Sequence, residues 1–375
     1  MRIGIEVQRI FRPKKHGMEV VALELIRQIQ RLDTKNEYIL FAKDGADSQC
    51  ISETSNFKTQ ILSSFTYADW EQFRLPQAVR KSGIDFLHCT CNTAPVKCPV
   101  PLLLTLHDII YLEKVDFKGT AYQNFGNLYR RFVVPKVVEK SEIVITVSHF
   151  ERRTILEKLK LPEEKVKVVY NAVNERFNNY FSDEEKYAFK KKYNLPENFL
   201  LFLGNTAPKK NTPNVILAFA DYCRQTKDIT PLVILDYDKA LVEEMLSKQG
   251  LSHFFKWFIF PGYVSPLEMP LMYSSAMLFL YPSLRESFGL PILEAMGCGT
   301  PVITSNTSSM PEVSADAALL IDPFRHEQIT EAIISILSND DLQNSYRAKG
   351  KARAAKFTWQ ASAKELLSIY DKLKK

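Results

Sequence analysis

Short apolar runs alternate with amphipathic segments along most of the chain, the pattern of parallel strands covered by helices. Several runs are apolar without alternation, as expected for strands buried on both faces. In the first half, strands are predicted at residues 2–7, 38–42, 86–88, 101–108, 142–148 and 166–171. A helix with one apolar face is predicted to begin at Met18 and to end near Leu32. Ser148 or His149 is predicted to cap the helix that starts near residue 151.

A polar stretch at residues 174–198 breaks this rhythm, and we interpret it as an interdomain linker with one surface helix. The alternation then resumes, with strands predicted at residues 199–204, 231–236, 255–260, 276–282, 300–305 and 318–322. Two successive series with right-handed crossovers predict two doubly wound α/β domains. Ligands of such sheets lie beyond the carboxyl ends of the strands, so we expect two Rossmann-like parallel-sheet domains facing a central cleft.

Length and composition agree with two ordinary globular domains. The chain has 375 residues, more than one hydrophobic core usually supports, with 46% hydrophobic and 25% charged residues. Its net charge of +6 is only mildly basic, and no Lys/Arg block with interleaved aromatic residues is present, so we expect no nucleic-acid partner. No apolar run approaches the roughly 18 residues that span a bilayer, and the N-terminus lacks a signal-peptide pattern. A cytoplasmic protein with reduced cysteines is therefore expected.

One cysteine-rich segment contains His88, Cys89, Cys91 and Cys98. A zinc site is one interpretation of this cluster. No second C-x-x-C pair completes a tetrahedral ligand set, so small buried thiols are the favoured alternative.

The segment "SLRESFGLPILEAMGCGTPVIT" (residues 283–304) combines a strand end, a turn and a helix start. Pro291 is predicted at the first helical position, where its fixed φ and missing N–H are tolerated. The backbone N–H groups of Phe288, Gly289 and Leu290 would then point out of the helix N-terminus. Such an N-terminus is suited to a phosphate group.

Two acids, Glu286 and Glu294, flank this turn. One interpretation of Glu294 is that it only complements the positive end of the helix dipole. The alternative is that both acids accept hydrogen bonds from neutral hydroxyl groups. Glu294 would then bind a nucleotide ribose and Glu286 a transferred sugar, with the diphosphate held at the helix end between them.

Two further strand ends carry candidate residues. In "FLGNTAPKKN" (residues 202–211), Lys209 and Lys210 suit a diphosphate, although solvated lysines in a turn would look the same. His107 ends another predicted strand, and a buried structural histidine is the alternative to a site residue. Its neighbour Asp108 would cap the following turn or orient the His107 ring.

A glycine in the first loop is a weaker candidate. Gly17 would let the backbone approach a bound substrate and would precede the first helix.

Taken together, these segments resemble a retaining glycosyltransferase of family 4 with the GT-B fold. The specific signature is an acid, seven residues and a second acid, here Glu286 and Glu294. Supporting matches run along nearly the full length, at residues 70–79, 99–113, 144–155, 166–177, 203–211, 262–276 and 305–323. In the family the C-terminal helix packs on the N-terminal domain. The resemblance thus implies an acceptor-binding domain at 1–172 with 359–375, and a nucleotide-sugar domain at 173–358.

The resemblance also implies residue roles. Catalytic roles fall on His107, Glu286 and Lys210. Donor-binding roles fall on Gly17, Asn205, Lys209, Lys210, Gly262, Tyr263, Glu286, Ser287, Phe288, Gly289, Leu290 and Glu294. The stretch 301–313 would support the phosphate-binding helix.

Two features of the chain bear on how closely it follows the family. Asn205 stands where many members carry an arginine, so one cation is missing and Lys209 would substitute for it. The triplet Asp236–Tyr237–Asp238 suggests a metal-binding D-x-D, but a strand-end turn is favoured, because GT-B enzymes normally need no metal.

The implied function is a retaining, metal-independent hexosyltransferase without a cofactor. It would move mannose, glucose or a related hexose from a UDP-, GDP- or ADP-sugar to a glycan or lipid-linked acceptor in cell-surface polysaccharide synthesis. Two alternatives stay open: a GT-B sugar-nucleotide epimerase and a catalytically silent GT-B partner subunit. A nicotinamide dehydrogenase is disfavoured, since no G-x-G-x-x-G follows the first strand.

The acceptor is expected at the N-terminal domain. That domain carries a set of basic residues, Lys14, Lys15, Arg130, Arg131 and Lys136. These would form either a face toward an anionic membrane, at the inner side of the cell membrane, or a plain solvated surface.

Overall fold

The computed structural model describes residues 1–15, 17–113 and 121–373. The chain divides into two compact units, Met1–Asn171 with Trp359–Lys375, and Ala172–Thr358. Among the helices of the described residues, none has both the length and the apolar character needed to cross a membrane.

The first unit is built on a parallel sheet of seven strands in the order β3-β2-β1-β4-β5-β6-β7. The strands are β1 Arg2–Glu6, β2 Glu37–Ala42, β3 Phe57–Ile61, β4 Phe86–Cys89, β5 Leu102–Thr105, β6 Ile143–Thr146 and β7 Val166–Val168. The helices are α1 Gly17–Leu32, α2 Tyr67–Asp69, α3 Leu75–Ser82, α4 Ile110–Glu113, α5 Ala121–Lys140 and α6 His149–Leu159, with a π-helical turn at Trp70–Arg74 between α2 and α3. The central strands β4 and β5 are buried along their whole length, which explains why their sequences, FLHC and LLLT, are mostly apolar.

Two sequence-based expectations for this unit need correction. Strand β3 was not predicted, because its sequence FKTQI is polar after Phe57 and lies at the sheet edge with only Phe57 fully buried. Helix α1 begins at Gly17 rather than at Met18. Between the two candidate caps of α6, Ser148 is the N-cap, and its hydroxyl accepts a hydrogen bond from the Glu151 N–H at 3.0 Å.

The second unit has a parallel sheet of six strands in the order β10-β9-β8-β11-β12-β13. The strands are β8 Leu200–Leu203, β9 Leu232–Leu235, β10 Phe258–Ile259, β11 Leu278–Tyr281, β12 Val302–Ser305 and β13 Leu319–Ile321. The helices are α7 Asp183–Lys192, α8 Thr212–Gln225, α9 Lys239–Lys248, α10 Met269–Ser275, α11 Leu290–Gly297, α12 Met310–Ser314, α13 His326–Leu337 and α14 Asp340–Ala354.

Two predictions for the second unit also differ from the structure. The aromatic run at 255–260 is mostly a 3₁₀ helix, Ser252–Trp257, followed by a strand of two residues. Its apolar side chains pack on the core in either conformation, so the sequence pattern could not separate them. The polar stretch 174–198 is part of the second unit, which starts at Ala172, rather than a linker.

The last helix, α15 Trp359–Lys372, belongs to the first unit. Its apolar face packs in the same core as α1, with Leu366 and Ile369 buried. The Tyr370 hydroxyl lies 2.7 Å from His88 Nδ1 on β4. Because Leu366 and Tyr370 lie in this core and Trp359 is also buried, the apolar face of α15 has the partner surface that its sequence requires.

Candidate functional site

An ion pair links the carboxyl ends of two neighbouring strands of the second unit. Lys210 lies in a 3₁₀ turn after β8, and Glu286 lies in the turn after β11, which pairs with β8 in parallel. Lys210 Nζ donates to Glu286 Oε1 at 2.7 Å and to the Tyr281 hydroxyl at 3.0 Å. A backbone hydrogen bond from Leu284 N–H to the Lys209 carbonyl, at 2.7 Å, joins the two turns.

The charges around Glu286 keep its side chain ionised. Burial alone would raise the pKa of this carboxyl, but the attraction of Lys210 and then of Lys209 outweighs it, so the pKa is lowered. Lys209 Nζ lies 3.9 Å from Glu286 Oε2, on a side chain that is 40% exposed. Glu286 is therefore a fixed hydrogen-bond acceptor at neutral pH.

The same turn leads into helix α11. Gly289 is the N-cap with φ at 100°, in the left-handed region that glycine adopts readily, and no described side chain caps this helix end. The helix begins at Leu290, so Pro291 occupies the second helical position and not the first. Proline is tolerated there because the N–H groups of the first helical turn have no partner within the helix. The turn therefore presents a helix N-terminus directly after Glu286.

Two serines after β12 hold the turn in place. Ser308 Oγ donates to the Glu286 carbonyl at 2.6 Å and accepts from the Glu286 N–H at 3.0 Å. Ser309 Oγ is buried and lies 2.9 Å from the carbonyls of both Glu286 and Phe288. Ser287, between these residues, is half-buried. These contacts fix the backbone that carries Glu286 to Gly289.

Glu294 lies one turn inside α11 in a different electrostatic environment. Burial raises the pKa of this carboxyl to about 7, although a hydrogen bond from Tyr273 and the attraction of Arg176 oppose the shift. The Tyr273 hydroxyl donates to Glu294 Oε2 at 3.1 Å. Glu294 thus titrates near neutral pH, unlike Glu286.

Asn205 makes hydrogen bonds within its own loop. Its side-chain oxygen accepts from the Ala207 N–H at 2.8 Å, and its carbonyl accepts from the Thr212 hydroxyl at 2.8 Å. These bonds shape the turn that carries Lys209 and Lys210. Lys209 and Lys210 approach the Glu286 carboxylate, while Arg285 donates to the Glu286 carbonyl at 3.0 Å.

Other candidate residues of the second unit lie at neighbouring strand ends. Gly262 has φ at 81°, and Tyr263 beside it is 76% exposed. In the acidic triplet Asp236–Tyr237–Asp238, Asp238 is the N-cap of α9 and accepts from the Ala240 N–H at 2.8 Å. A Cβ at Gly204 would lie 2.6 Å from Tyr237 Cβ, so only glycine fits there.

His107 follows β5 in the first unit and is buried. Its Nε2–H donates to the Thr90 carbonyl at 2.9 Å, and its backbone N–H donates to Asn92 Oδ1 at 2.6 Å. Burial lowers the pKa of His107, so the ring is neutral. Asp108 caps the next turn by accepting from the Ile110 N–H at 3.1 Å.

Gly17, in the same unit, is the first residue of α1. A Cβ there would meet none of the described atoms within 4 Å. No steric reason for glycine follows from the structure at this position.

The cysteine-rich segment makes structural contacts. His88 lies 2.7 Å from both the Tyr370 hydroxyl and Thr105 Oγ1, and burial lowers its pKa to about 3. Burial likewise raises the pKa of the Cys91 thiol to about 12. Within the described ranges, no group of three or more His, Cys, Asp or Glu side chains is arranged to hold a metal ion.

Local contacts are seen for Lys15, Arg130 and Lys136, three of the basic residues predicted on the first unit. Lys15 pairs with Asp47, and the Arg130 guanidinium lies 5.4 Å from the centre of the Tyr111 ring. Lys136 Nζ lies 3.3 Å from the Phe132 ring centre, on an exposed part of α5.

The sequence alone did not identify the tyrosines beside the two acids, whereas the two serines lie in the stretch 301–313 that the resemblance implied as support for the helix. Tyr273 and Tyr281 each hydrogen-bond or approach one acid, while Ser308 and Ser309 hold the turn. Tyr281 was treated only as part of an apolar strand. Its position as the last strand residue was the one available signal, since strand ends carry site residues in this fold class.

Two family models match most of the chain. Glycosyl transferases group 1 matches residues 183–353, and Glycosyltransferase Family 4 matches residues 16–177. O-antigen chain mannosyltransferase B of Escherichia coli is 31% identical over 242 residues, covering 62% of this chain and 61% of that protein. O-antigen chain mannosyltransferase RfbU of Salmonella typhimurium is 28% identical, covering 76% of this chain and 73% of that protein.

A third relative is longer than this chain. Serotype-specific mannosyltransferase WbdA of Escherichia coli is 28% identical over 271 residues, which are 71% of this chain and 32% of that protein. The chain thus spans less than two thirds of the length of both Escherichia coli relatives.

Solved structures match the fold over almost the whole chain. Sucrose-phosphate synthase from Thermosynechococcus elongatus has a TM-score of 0.72 at 18% identity, covering 99% of this chain and 98% of that one. Anabaena Alr3699/HepE in complex with UDP has a TM-score of 0.75 at 18% identity, covering 99% of this chain and 100% of that one. Together with the two family models, these matches show that the chain belongs to the group 1, or family 4, glycosyltransferases and has their GT-B fold of two parallel-sheet α/β domains.

Proposed function

We propose that this protein is a retaining hexosyltransferase that uses a nucleoside-diphosphate sugar and needs no metal. The observation that carries the proposal is the ion pair of Lys210 with Glu286, directly before the N-terminus of α11. The names of the bacterial relatives favour mannose as the sugar. The nucleoside of the donor is uridine, guanosine or adenosine; a solved HepE structure is a complex with UDP-glucose.

In this proposal the diphosphate occupies the start of α11. The helix N-terminus offers backbone N–H groups and a positive dipole end, beginning at Gly289 and Leu290. Lys210, and Lys209 less closely, add positive charge. When the sugar leaves, negative charge grows on the diphosphate, and these groups stabilise it without rearranging. They would do the work that a divalent metal does elsewhere.

The two acids bind hydroxyl groups of the same donor. Glu286 is ionised, so it accepts hydrogen bonds from hydroxyls of the transferred sugar. Glu294 accepts from the ribose hydroxyls, which favours its ionised form on binding. The family resemblance implies this division of roles, and the two carboxyls also differ in pKa.

Transfer with retention needs no nucleophile from the protein. The bond from the anomeric carbon to the diphosphate breaks, and the acceptor oxygen bonds to that carbon on the same face. The acceptor proton passes to the departing phosphate oxygen. His107, neutral and held by the Thr90 carbonyl, is assigned to positioning the donor sugar and not to proton transfer.

The acceptor is a glycan or a lipid-linked glycan bound by the first unit. Cell-surface polysaccharide synthesis is the process that the bacterial relatives favour by name. A lipid-linked acceptor would bring the protein to the inner face of the cell membrane as a peripheral protein.

A binding and transfer panel tests the proposal. Purified protein is scanned thermally with UDP-, GDP- and ADP-sugars in EDTA, since a specific ligand raises the apparent stability of the native state. One donor class should raise the melting temperature, and transfer in EDTA should give a product with the anomeric configuration of the donor. An inverted product, or loss of transfer in EDTA, overturns the mechanism. Turnover of the donor without any acceptor would instead indicate an epimerase.

A further inference from the structure

The first unit has a hydroxyl-lined cavity of about 240 Å³ beyond the carboxyl ends of its strands. Three of its lining residues carry hydroxyl groups: Tyr67 at the start of α2, Thr93 after β4 and Tyr129 on α5. The rings of Tyr67 and Tyr129 meet edge to face at 5.8 Å. Apolar ring surface and polar oxygens therefore share one wall, as in sites that bind small polar ligands.

A buried acid lies behind this wall. Glu71 belongs to the π-helical turn Trp70–Arg74, a rare conformation that is frequent at functional sites. Its carboxyl lies 2.8 Å from the Tyr67 hydroxyl, 2.5 Å from Thr93 Oγ1 and 2.6 Å from the Tyr129 hydroxyl. The Tyr67 and Thr93 oxygens are themselves 2.5 Å apart. All three hydroxyls of the wall thus converge on one carboxyl group.

The number of protons in this cluster decides whether its hydroxyl groups donate or accept hydrogen bonds toward the cavity. These four oxygen–oxygen contacts require four protons, while three hydroxyls supply three and an ionised carboxylate supplies none. A neutral Glu71, which its burial favours by raising the pKa, supplies the fourth. In both states every hydroxyl proton is used inside the cluster. Tyr129 also accepts a hydrogen bond from Gln72 Nε2 at 2.8 Å, so its oxygen is already occupied. The lone pairs that remain for a ligand in the cavity are those of the Tyr67 and Thr93 oxygens.

We propose that this cavity binds one sugar unit of the acceptor, whose hydroxyls donate hydrogen bonds to Tyr67 and Thr93. A polyol matches a wall of acceptor oxygens, whereas an anion is repelled by their lone pairs. Arg9 and Arg130 also line the cavity and supply donors to the oxygens of the sugar. The inference rests on the proposed transferase function and adds the place and the chemistry of acceptor binding.

A direct binding experiment tests the cavity. Saturation-transfer NMR measures binding of methyl α-mannoside, at millimolar concentration, to the full chain and to Thr93→Val and Tyr67→Phe. Each variant removes one acceptor oxygen, so the dissociation constant should rise about 3- to 10-fold. Tyr111→Phe is the matched control, because it removes a tyrosine hydroxyl of the same unit outside this cavity. Its affinity should equal that of the wild type.

Inorganic phosphate provides the second arm. If phosphate displaces the mannoside through Arg9 and Arg130, the cavity is an anion site and the proposal is overturned. Absence of mannoside binding, or equal binding by all variants, also overturns it. Nucleotide-sugar binding is followed on the same samples by thermal shift and should be unchanged in both variants. If the wild type binds the mannoside but no nucleotide sugar, the proposed function is refuted and the assignment of the cavity is not affected.

Discussion

At the scale of single residues, two glutamates eight positions apart differ in ionisation because their neighbours differ. Glu286 has two lysines within 4 Å and a lowered pKa, whereas Glu294 has a tyrosine hydroxyl and a pKa raised to about 7. The sequence spacing identified both acids as a pair. The spacing could not predict this difference, because Tyr273 and Tyr281 come close to the acids only when the sheet is folded.

Glu294→Gln separates stability from binding. In the folded protein the pKa of Glu294 lies above its ordinary value of 4.5. The buried carboxylate therefore lowers the free energy of unfolding, and this loss increases as the pH rises from 4.5 through 7. At pH 8 the variant should therefore be more stable than the wild type by about 1–3 kcal/mol, measured by chemical denaturation. Its nucleotide affinity should fall about 10-fold or more, because a charged acceptor is lost.

The wild type should show the matching pH dependence. Nucleotide affinity, measured by calorimetry, should decline as pH falls below 7, since the proton on Glu294 competes with the ribose hydroxyls. Glu331→Gln, on the exposed side of α13, is the control and should behave as the wild type. A wild-type affinity that does not change between pH 5.5 and 8, or an affinity in Glu294→Gln equal to that of the wild type, would show that Glu294 does not touch the ribose.

Substitutions of Lys210 and Lys209 can be compared directly, because the two lysines lie at different distances from Glu286. Lys210 Nζ is 2.7 Å from Glu286, while Lys209 Nζ is 3.9 Å away on a more exposed side chain. Lys210→Met should lower kcat by about 10²- to 10³-fold, as for other groups that stabilise transition-state charge. Lys209→Met should lower kcat by less than about 10-fold, because exposed charges contribute little. Equal losses in the two variants would contradict the assignment of the diphosphate to Lys210.

At the scale of elements, apolar runs predicted the buried strands, because parallel strands that are covered on both faces consist mainly of apolar residues. They did not predict β3, whose edge position leaves polar residues on it, or the 3₁₀ helix that precedes β10. The helix start after Glu286 was predicted within one residue from Gly289 and Pro291. The resemblance implied that the stretch 301–313 supports this helix, but the particular hydrogen bonds of Ser308 and Ser309, which follow the neighbouring strand β12, could not be predicted from the sequence.

Ser309→Ala tests whether this support matters. The variant removes a buried hydroxyl that reaches two carbonyls of the turn, at Glu286 and Phe288. Stability should fall by about 1–2 kcal/mol, and nucleotide affinity should fall with it because the helix start loses its fixed position. The exposed Ser338→Ala at the end of α13 is the control. Lower stability with unchanged nucleotide affinity would limit Ser309 to a role in folding.

At the scale of the whole molecule, the net charge of +6 bears on the membrane. Part of the positive charge lies on exposed Lys136, beside the phenylalanine ring of Phe132. We expect the protein to pellet with liposomes that contain anionic lipid at low salt and to be released at high salt, because screening weakens charge attraction. Lys136→Glu should reduce pelleting and leave nucleotide binding unchanged. Failure to pellet at any salt concentration would indicate a plain solvated surface.

The central claim is that the start of α11 binds the diphosphate of a nucleotide sugar. The most direct measurement is a crystal structure with the nucleoside diphosphate that the thermal panel selects. The account predicts both phosphorus atoms beside the backbone N–H groups at Gly289 and Leu290, with Lys210 in contact and a ribose hydroxyl on Glu294. Phosphates bound at any other place in the second unit, with Lys210 and Glu294 unoccupied, would contradict it.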